Sequence, residues 1–357
     1  MNKHFRKLAA GLVLSGAPLA VVAQSSCDSY WSSYNATPTD YYYEELVENG
    51  CIGAGSAGSS SGATQQLQAT TAQQISVISN MIGSRLLSTG PQGPGQLGAV
   101  GAKGLSAGAA PNTWNAWGSL SVNDSRYDPG NNNKRGSDVV NTVVGADYSI
   151  APNMVGGVSL ALDRGNGSVA RAATPITTSG YSIAPYFGMQ INQNLALDAS
   201  FGLGSGNAGQ SGGIESEADR QFLALNASYA KWFDVWQVTA KAGYLEATEK
   251  YADTRRNGAV QAGTGFKNKI SQLRLGADVG YWMNGVMPFV GVAYVQDIRL
   301  VTSIKDPNWD KDAFTLTAGA NFFSLTDKMT GGIVYTQETG RRHAKNSTLA
   351  ANINFRF

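Results

Sequence analysis

Between Trp114 and Phe357, the apolar residues of this 357-residue chain fall on every second position. Leu195, Leu197, Ala199, Phe201 and Leu203 are interleaved with the polar or small Asp198, Ser200 and Gly202. Leu273, Leu275, Ala277, Val279 and Tyr281 oppose Gln272, Arg274, Gly276, Asp278 and Gly280. The pattern recurs from Phe314 to Phe322 and closes the chain, where Leu349, Ala351, Ile353, Phe355 and Phe357 oppose Asn352, Asn354 and Arg356. A period of two is the signature of a β-strand, whose side chains point alternately to opposite faces. A continuous apolar face backed by small and charged residues predicts a wall with lipid outside and water inside.

Such segments number about twelve, centred near residues 120, 144, 160, 186, 200, 226, 242, 275, 293, 318, 335 and 351. The ninth, Met287–Leu300, is ambiguous in phase, and the eleventh is short. Tight turns are expected at Ala151-Pro152-Asn153, Asn192-Gln193-Asn194, Phe233-Asp234-Val235, Asn284-Gly285 and Thr326-Asp327-Lys328. The alternate connections, near 127–136, 164–178, 205–218, 250–265, 302–311 and 340–346, are longer and polar. Strict alternation of short and long connections belongs to an outer-membrane barrel, with the short turns in the periplasm and the long loops outside. A soluble β-sandwich also alternates polar and apolar residues, but has no reason to alternate its loop lengths. In lipid an open sheet edge is forbidden, so the sheet must close. The predicted fold is an all-β membrane protein, a 12-stranded antiparallel transmembrane β-barrel over 113–357.

The residues upstream follow another rule. From Ala63 to Leu87 the chain lacks proline, and Ile75, Ile78, Met81, Ile82 and Leu86 keep helical spacing among glutamines and serines. A helix of that length reaches on the order of 35 Å at about 1.5 Å per residue, enough to cross a bilayer core inside a polar pore. This pore helix is assigned 63–90, followed by a Gly/Pro/Ala tether at 91–112. Residues 24–62 hold a cysteine loop, many aromatics and, at 53–62, an Ala/Gly/Ser-rich linker. At the start, Lys3, Arg6 and Lys7 precede the apolar run Leu8–Val22, and Val21-Val22-Ala23 supplies small residues for cleavage. The expectation is a signal peptide over 1–23.

Composition narrows the function classes. Glycine is abundant (43 residues), only 15% of residues are charged and 10% are aromatic, an unusual balance for a soluble enzyme. No segment after residue 23 has the unbroken apolar length of a membrane-spanning helix, so a membrane role requires a barrel. Removing the leader takes three of the 27 Lys+Arg and none of the 25 Asp+Glu, leaving 24 against 25 and a net charge of −1. That balance gives no footprint for nucleic acid. The two cysteines, Cys27 and Cys51, are expected to form a disulfide in an oxidising compartment.

Candidate chemistry is sparse. Outside the leader the one histidine is His343, in the last predicted loop beside Arg341 and Arg342, with Ser347 near but in no nucleophile-elbow context. It reads as a solvated loop residue. Gly53-Ala-Gly-Ser-Ala-Gly58 matches GxGxxG in form, but no strand precedes it and no βαβ unit follows. Asp306, Asp310 and Asp312 offer oxygens to calcium, yet lack the glycine and terminal glutamate of a helix-loop-helix site. Tyr41, Tyr42 and Tyr43 suit either a binding patch or packing around the cysteine loop. No cofactor, metal or catalytic residue is assigned.

With this plan in place, residues 64–357 resemble the translocator domain of classical (type V) autotransporters. The resemblance rests on the helix ending Ser79-Asn80-Met81-Ile82-Gly83-Ser84-Arg85-Leu86, on Trp114 and Trp117 opening the first strand, on the segment Phe323–Tyr335, and on the terminal Asn352–Phe357. It implies insertion by the barrel assembly machinery with periplasmic chaperones, which would read Ile353, Phe355 and Phe357. It implies outer-membrane lipids as surroundings and a pore plugged by the helix that carries Asn80 and Arg85. Inward polar residues such as Asp147, Asp163, Asp198, Lys241, Arg274 and Asp278 would meet that helix. The chain departs from the family in its passenger: only residues 24 to about 62 are available, with no solenoid repeat. Asn80 has no neighbouring asparagine, so self-cleavage is not carried over. The expected function is export or display of this short segment, with no surface ligand named; the alternative is a channel for small solutes with a periplasmic N-terminal region.

Overall fold

The computed structural model of the chain describes residues 57–87, 114–128, 135–169, 175–210, 213–262, 264–301, 310–326 and 329–357. Cys27, Cys51, the leader and the tether lie outside the described residues. Among the described residues, one helix, α1 (Ala57–Leu86), precedes twelve long strands. These are β1 (Trp114–Tyr127), β2 (Arg135–Ala151), β3 (Met154–Val169), β4 (Pro175–Gln190), β5 (Leu195–Gln210) and β6 (Ile214–Phe233), continuing with β7 (Trp236–Tyr251), β8 (Phe266–Tyr281), β9 (Val286–Val301), β10 (Asp312–Thr326), β11 (Met329–Thr339) and β12 (Ala344–Arg356).

Each strand pairs antiparallel with its sequence neighbours, and the ring closes where β1 pairs with β12, from Asn115↔Arg356 to Tyr127↔Ala344. Closure gives every strand two partners, so no edge faces lipid. The alternation seen in the sequence is carried into space. On β5, Leu197, Phe201 and Leu203 are exposed on the outside, while Ala196, Asp198 and Ser200 are buried on the inside. Towards one end, aromatic pairs ring the outer surface, Trp114 with Tyr148 (centroids 5.1 Å apart) and Trp236 with Tyr281 (4.8 Å). Amphipathic rings settle at a membrane–water boundary, and this is the end that bears the short turns.

Turn chemistry fixes that end. Asn284 and Gly285 both take positive φ, 48° and 93°, as a two-residue hairpin turn requires. Asn192 closes the β4–β5 connection by accepting from the backbone N–H of Asn194 (2.9 Å) and Leu195 (3.0 Å). At the opposite end several connections are shorter than the sequence suggests. The segments 164–178 and 205–218 are largely strand: β3 and β4 run to Val169 and Pro175, and β5 and β6 to Gln210 and Ile214. There the outward positions of β6 are Glu215, Glu217, Asp219 and Gln221, giving way to Leu223 and Leu225 only lower down. Backbone pairing continues past the lipid, whereas the apolar face stops with it, so a reading by hydropathy ends each strand too soon. Within the expected loop 250–265, Arg255–Arg256 and Ala259–Val260 form a small hairpin about Asn257 and Gly258, both at positive φ.

Two further differences have local causes. The uncertain phase of the ninth segment comes from a bulge: Gln272 pairs with Asp297 and Ser271 with Arg299, so Ile298 is an extra residue that shifts the alternation. The helix begins at Ala57, within the stretch expected to be linker. Glycine and serine start helices poorly, but once a turn exists each further residue costs only about 0.5–1 kcal/mol relative to alanine.

Candidate functional site

The helix lies inside the barrel and is held to one side of it. Ile75, Ile78, Met81, Ile82 and Leu86 are buried against inward residues such as Val143, Val155, Ala184 and Tyr186. The inner wall is therefore apolar where the helix rests, not polar all round as alternation alone suggests. An inward glycine allows the close approach, since a Cβ at Gly188 would overlap Ile82, and two more make room for rings of the wall itself: a Cβ at Gly157 would overlap Tyr186, and one at Gly145 would overlap Trp117.

Polar contacts fix the helix in register. Arg85 Nη1 donates to Asp147 Oδ1 at 2.5 Å, and Arg85 also donates to Ser149. Asp147 accepts further from Asn115 (3.0 Å) and from the Tyr186 hydroxyl (2.9 Å), which itself accepts from Trp117 Nε1 (2.9 Å). Higher in the lumen, Ser79 donates to Asp198 (2.7 Å), and Lys241 donates to Asn80 Oδ1 (3.4 Å) while pairing with Asp278 (2.7 Å). Gln74 bridges two strands, donating to Ser159 (3.1 Å) and accepting from Ser182 (2.6 Å). Arg85 thus sits near the short-turn end, and Gln74, three turns earlier, meets residues nearer the loops. The helix N-terminus points towards the loop end.

The pore-facing residues named from sequence do not form one site. Asp147, Asp198 and Lys241 meet the helix, and Asp278 acts through Lys241. Asp163 instead pairs with Arg220 (2.5 Å), whose Nε also meets Glu249 (2.6 Å). This buried triad lies across β3, β6 and β7, and the guanidinium passes over Gly180 and Gly206, where a Cβ would collide with it. A second buried network at the loop end joins Arg341 to Asp297 (2.8 Å) and Glu338 (2.9 Å). Burial alone would lower the pKa of Arg341, but Glu338 and Asp297 more than offset it and hold the guanidinium above its ordinary value. Arg220, Glu249, Asp297 and Glu338 escaped the sequence reading, although Arg220 shares parity with the inward Phe222 and Ala224, and Arg341 entered it only as a neighbour of His343. Arg274 faces a crevice of about 370 Å³ between the helix and the wall from β6 to β12, lined also by Thr317, Thr336 and Asn352.

The remaining candidates are surface features. His343 Nδ1 lies 2.9 Å from the carbonyl oxygen of Asp128. The Asp310 carboxylate accepts from the Arg342 backbone N–H (2.6 Å), and Asp312 accepts from Tyr294 (2.5 Å). Among the described residues no group of three His, Cys, Asp or Glu side chains is placed to hold a metal. At the C-terminus, Ile353, Phe355 and Phe357 face outward, and the Phe357 N–H donates to the Trp114 carbonyl (3.0 Å), locking the last residue to the first strand.

The fold is shared with solved autotransporter barrels. The translocator domain of NalP from Neisseria meningitidis aligns at a TM-score of 0.58 and 12% identity, over 70% of this chain and 91% of that one. The β-domain of the Bordetella autotransporter BrkA gives 0.56 and 14%, over 69% and 100%. The transport unit of AIDA-I from Escherichia coli gives 0.52 and 11%, over 67% and 89%. A search of curated proteins returns no match. The family model of the autotransporter β-domain matches residues 116–336, well over half of the chain, and the chain belongs to that family of outer-membrane barrels.

Proposed function

We propose that this protein exports or displays its own short N-terminal segment at the cell surface, after which α1 remains in the barrel as a plug. The observation that carries this reading is the seating of α1: the buried Arg85–Asp147 pair, together with the contacts of Ser79 and Gln74, directs the helix N-terminus to the loop end. A segment continuous with that end would emerge outside, since long loops face the exterior in such barrels. In this scheme residues 1–23 direct export from the cytoplasm. Periplasmic chaperones deliver the chain, and the barrel assembly machinery engages the final strand through Ile353, Phe355 and Phe357. The role assigned is transport, not catalysis.

The crevice beside the helix favours one second reading, a channel for small solutes. An epitope inserted near residue 38 separates the two in intact cells, with a periplasmic marker as leakage control. Labelling and protease sensitivity from outside are expected for display. Signal only after the outer membrane is permeabilised would refute display and favour the channel.

A further inference from the structure

We propose that the inner wall of β1–β3 binds a small monovalent cation of the sodium class, held by the Asp163 carboxylate, the Asn141 amide oxygen and the Ser121 hydroxyl. These residues form one row across adjacent strands: Ser121 stands opposite Asn141, and Asn141 opposite Asp163. All three lie on the inward face and are only 1%, 2% and 5% exposed. Same-face neighbours across a strand pair hold their Cβ atoms about 4.5–5.5 Å apart. Yet Ser121 Oγ, Asn141 Oδ1 and Nδ2, and Asp163 Oδ2 are buried without a hydrogen-bond partner among the described residues, and they do not bond one another. Buried polar groups are paired in nearly all folded proteins, so a row of unpartnered ones side by side points to a ligand between them.

Charge sets the sign of that ligand. Arg220 faces two carboxylates, Asp163 at 2.5 Å and Glu249 at 2.6 Å. Apart from the Tyr251 hydroxyl, no further titratable group among the described residues acts on Arg220 or Glu249. The buried triad therefore carries two acids for one cation, and an uncompensated charge in a dry wall is costly. A proton on Glu249 would cancel that charge but leave Asp163, Asn141 and Ser121 unpaired. A cation beside Asp163 Oδ2 answers both. One carboxylate, one amide carbonyl and one hydroxyl make an all-oxygen set, which hard cations take. A single surplus negative charge matches a monovalent ion rather than a divalent one. The site lies two inward positions along β3 from Ser159, which Gln74 of the helix holds, so the ion braces the wall beside the helix seat. The inference is independent of whether the barrel displays its N-terminus or conducts solutes.

Ion-linked stability of the full chain tests it. The protein is unfolded with urea from neutral phosphatidylcholine vesicles, with sodium chloride exchanged for N-methylglucamine chloride at constant ionic strength. Tryptophan fluorescence reads the transition, and heat-dependent gel migration confirms the folded barrel. Above half-saturation, each tenfold rise in sodium should lower the unfolding constant about tenfold, as one bound ion requires. Asn141→Ala removes an oxygen without changing charge and should flatten the dependence. Ser121→Ala, the milder change, should move it to roughly tenfold higher sodium or beyond, and serves alone if Asn141→Ala does not fold. Asp138→Asn, an exposed acid on the outer face of β2, should leave it unchanged. Equal stability in the two salts would overturn the proposal, and a pH dependence in its place would assign the missing charge to a proton. A sodium dependence that the variants of Asn141 and Ser121 leave intact, or that Asp138→Asn removes, would overturn it as well. None of these results bears on surface labelling at residue 38.

Discussion

If α1 is held in the lumen by the Arg85–Asp147 pair, removing either partner should loosen the helix without unfolding the barrel. The two side chains are only 4% and 1% exposed, so solvent screening is small. Removing one partner of a buried pair typically costs about 3–5 kcal/mol, because the other charge is stranded. The lower end applies here. After Arg85→Met, Asp147 keeps its bonds from Asn115 and Tyr186, and after Asp147→Leu, Arg85 keeps Ser149. About 3 kcal/mol corresponds to local opening roughly 150-fold more frequent. Native-state hydrogen exchange read by mass spectrometry on a peptide covering Met81–Leu87 measures this directly, while strand peptides report the barrel. The double variant should lose less than the sum of the singles by about 2 kcal/mol, as expected for groups in direct contact. Single variants that change helix exchange less than about threefold, or a strictly additive double variant, would refute the idea that this pair anchors the plug.

Two other perturbations probe packing and lipid contact. Gly188→Ala should displace the helix, because the new Cβ would overlap Ile82; overpacking of this kind costs about 1–3 kcal/mol, and Ile82→Ala should restore protected helix exchange. On β5, Phe201→Arg places a charge on the outward apolar band and should destabilise the barrel by about 2–4 kcal/mol in urea unfolding from lipid vesicles, whereas Asn207→Arg, also outward and exposed but beyond that band, should change it by less than about 1 kcal/mol.

The architecture was legible in the sequence because its cause is local. A strand between lipid and lumen must alternate, so Leu197, Phe201 and Leu203 against Asp198 and Ser200 state both the element and its two environments. Each of the twelve segment centres falls within an observed strand, and the Asn284-Gly285 turn is written in its residue types. The presence of a helix before the barrel was likewise readable from its spacing. Where the environment changed along an element, the reading failed. Strand ends beyond the lipid lost their hydropathic signal on β5 and β6, and one extra residue at Ile298 scrambled the phase of β9.

Within the lumen, the sequence determined which residues point inward but not which of them meet. Inward direction is a property of one strand, whereas partnership depends on closure, strand register and the side on which the helix rests. Asp147 and Asp163 look alike in sequence. The first is taken by Arg85 from the helix, and the second by Arg220 reaching across Gly180 and Gly206. Glu249 and Arg341 were passed over because their partners are set by strand register: Glu249 stands directly opposite Arg220 across the β6–β7 pair, and Arg341 reaches back to Asp297 on β9. Register likewise places Arg274 between Gly243 on β7 and Val295 on β9. The period-two pattern thus fixed the wall, and the tertiary structure alone decided the pairing of charges inside it, since Coulomb and hydrogen-bond energies depend on distances that no single strand defines.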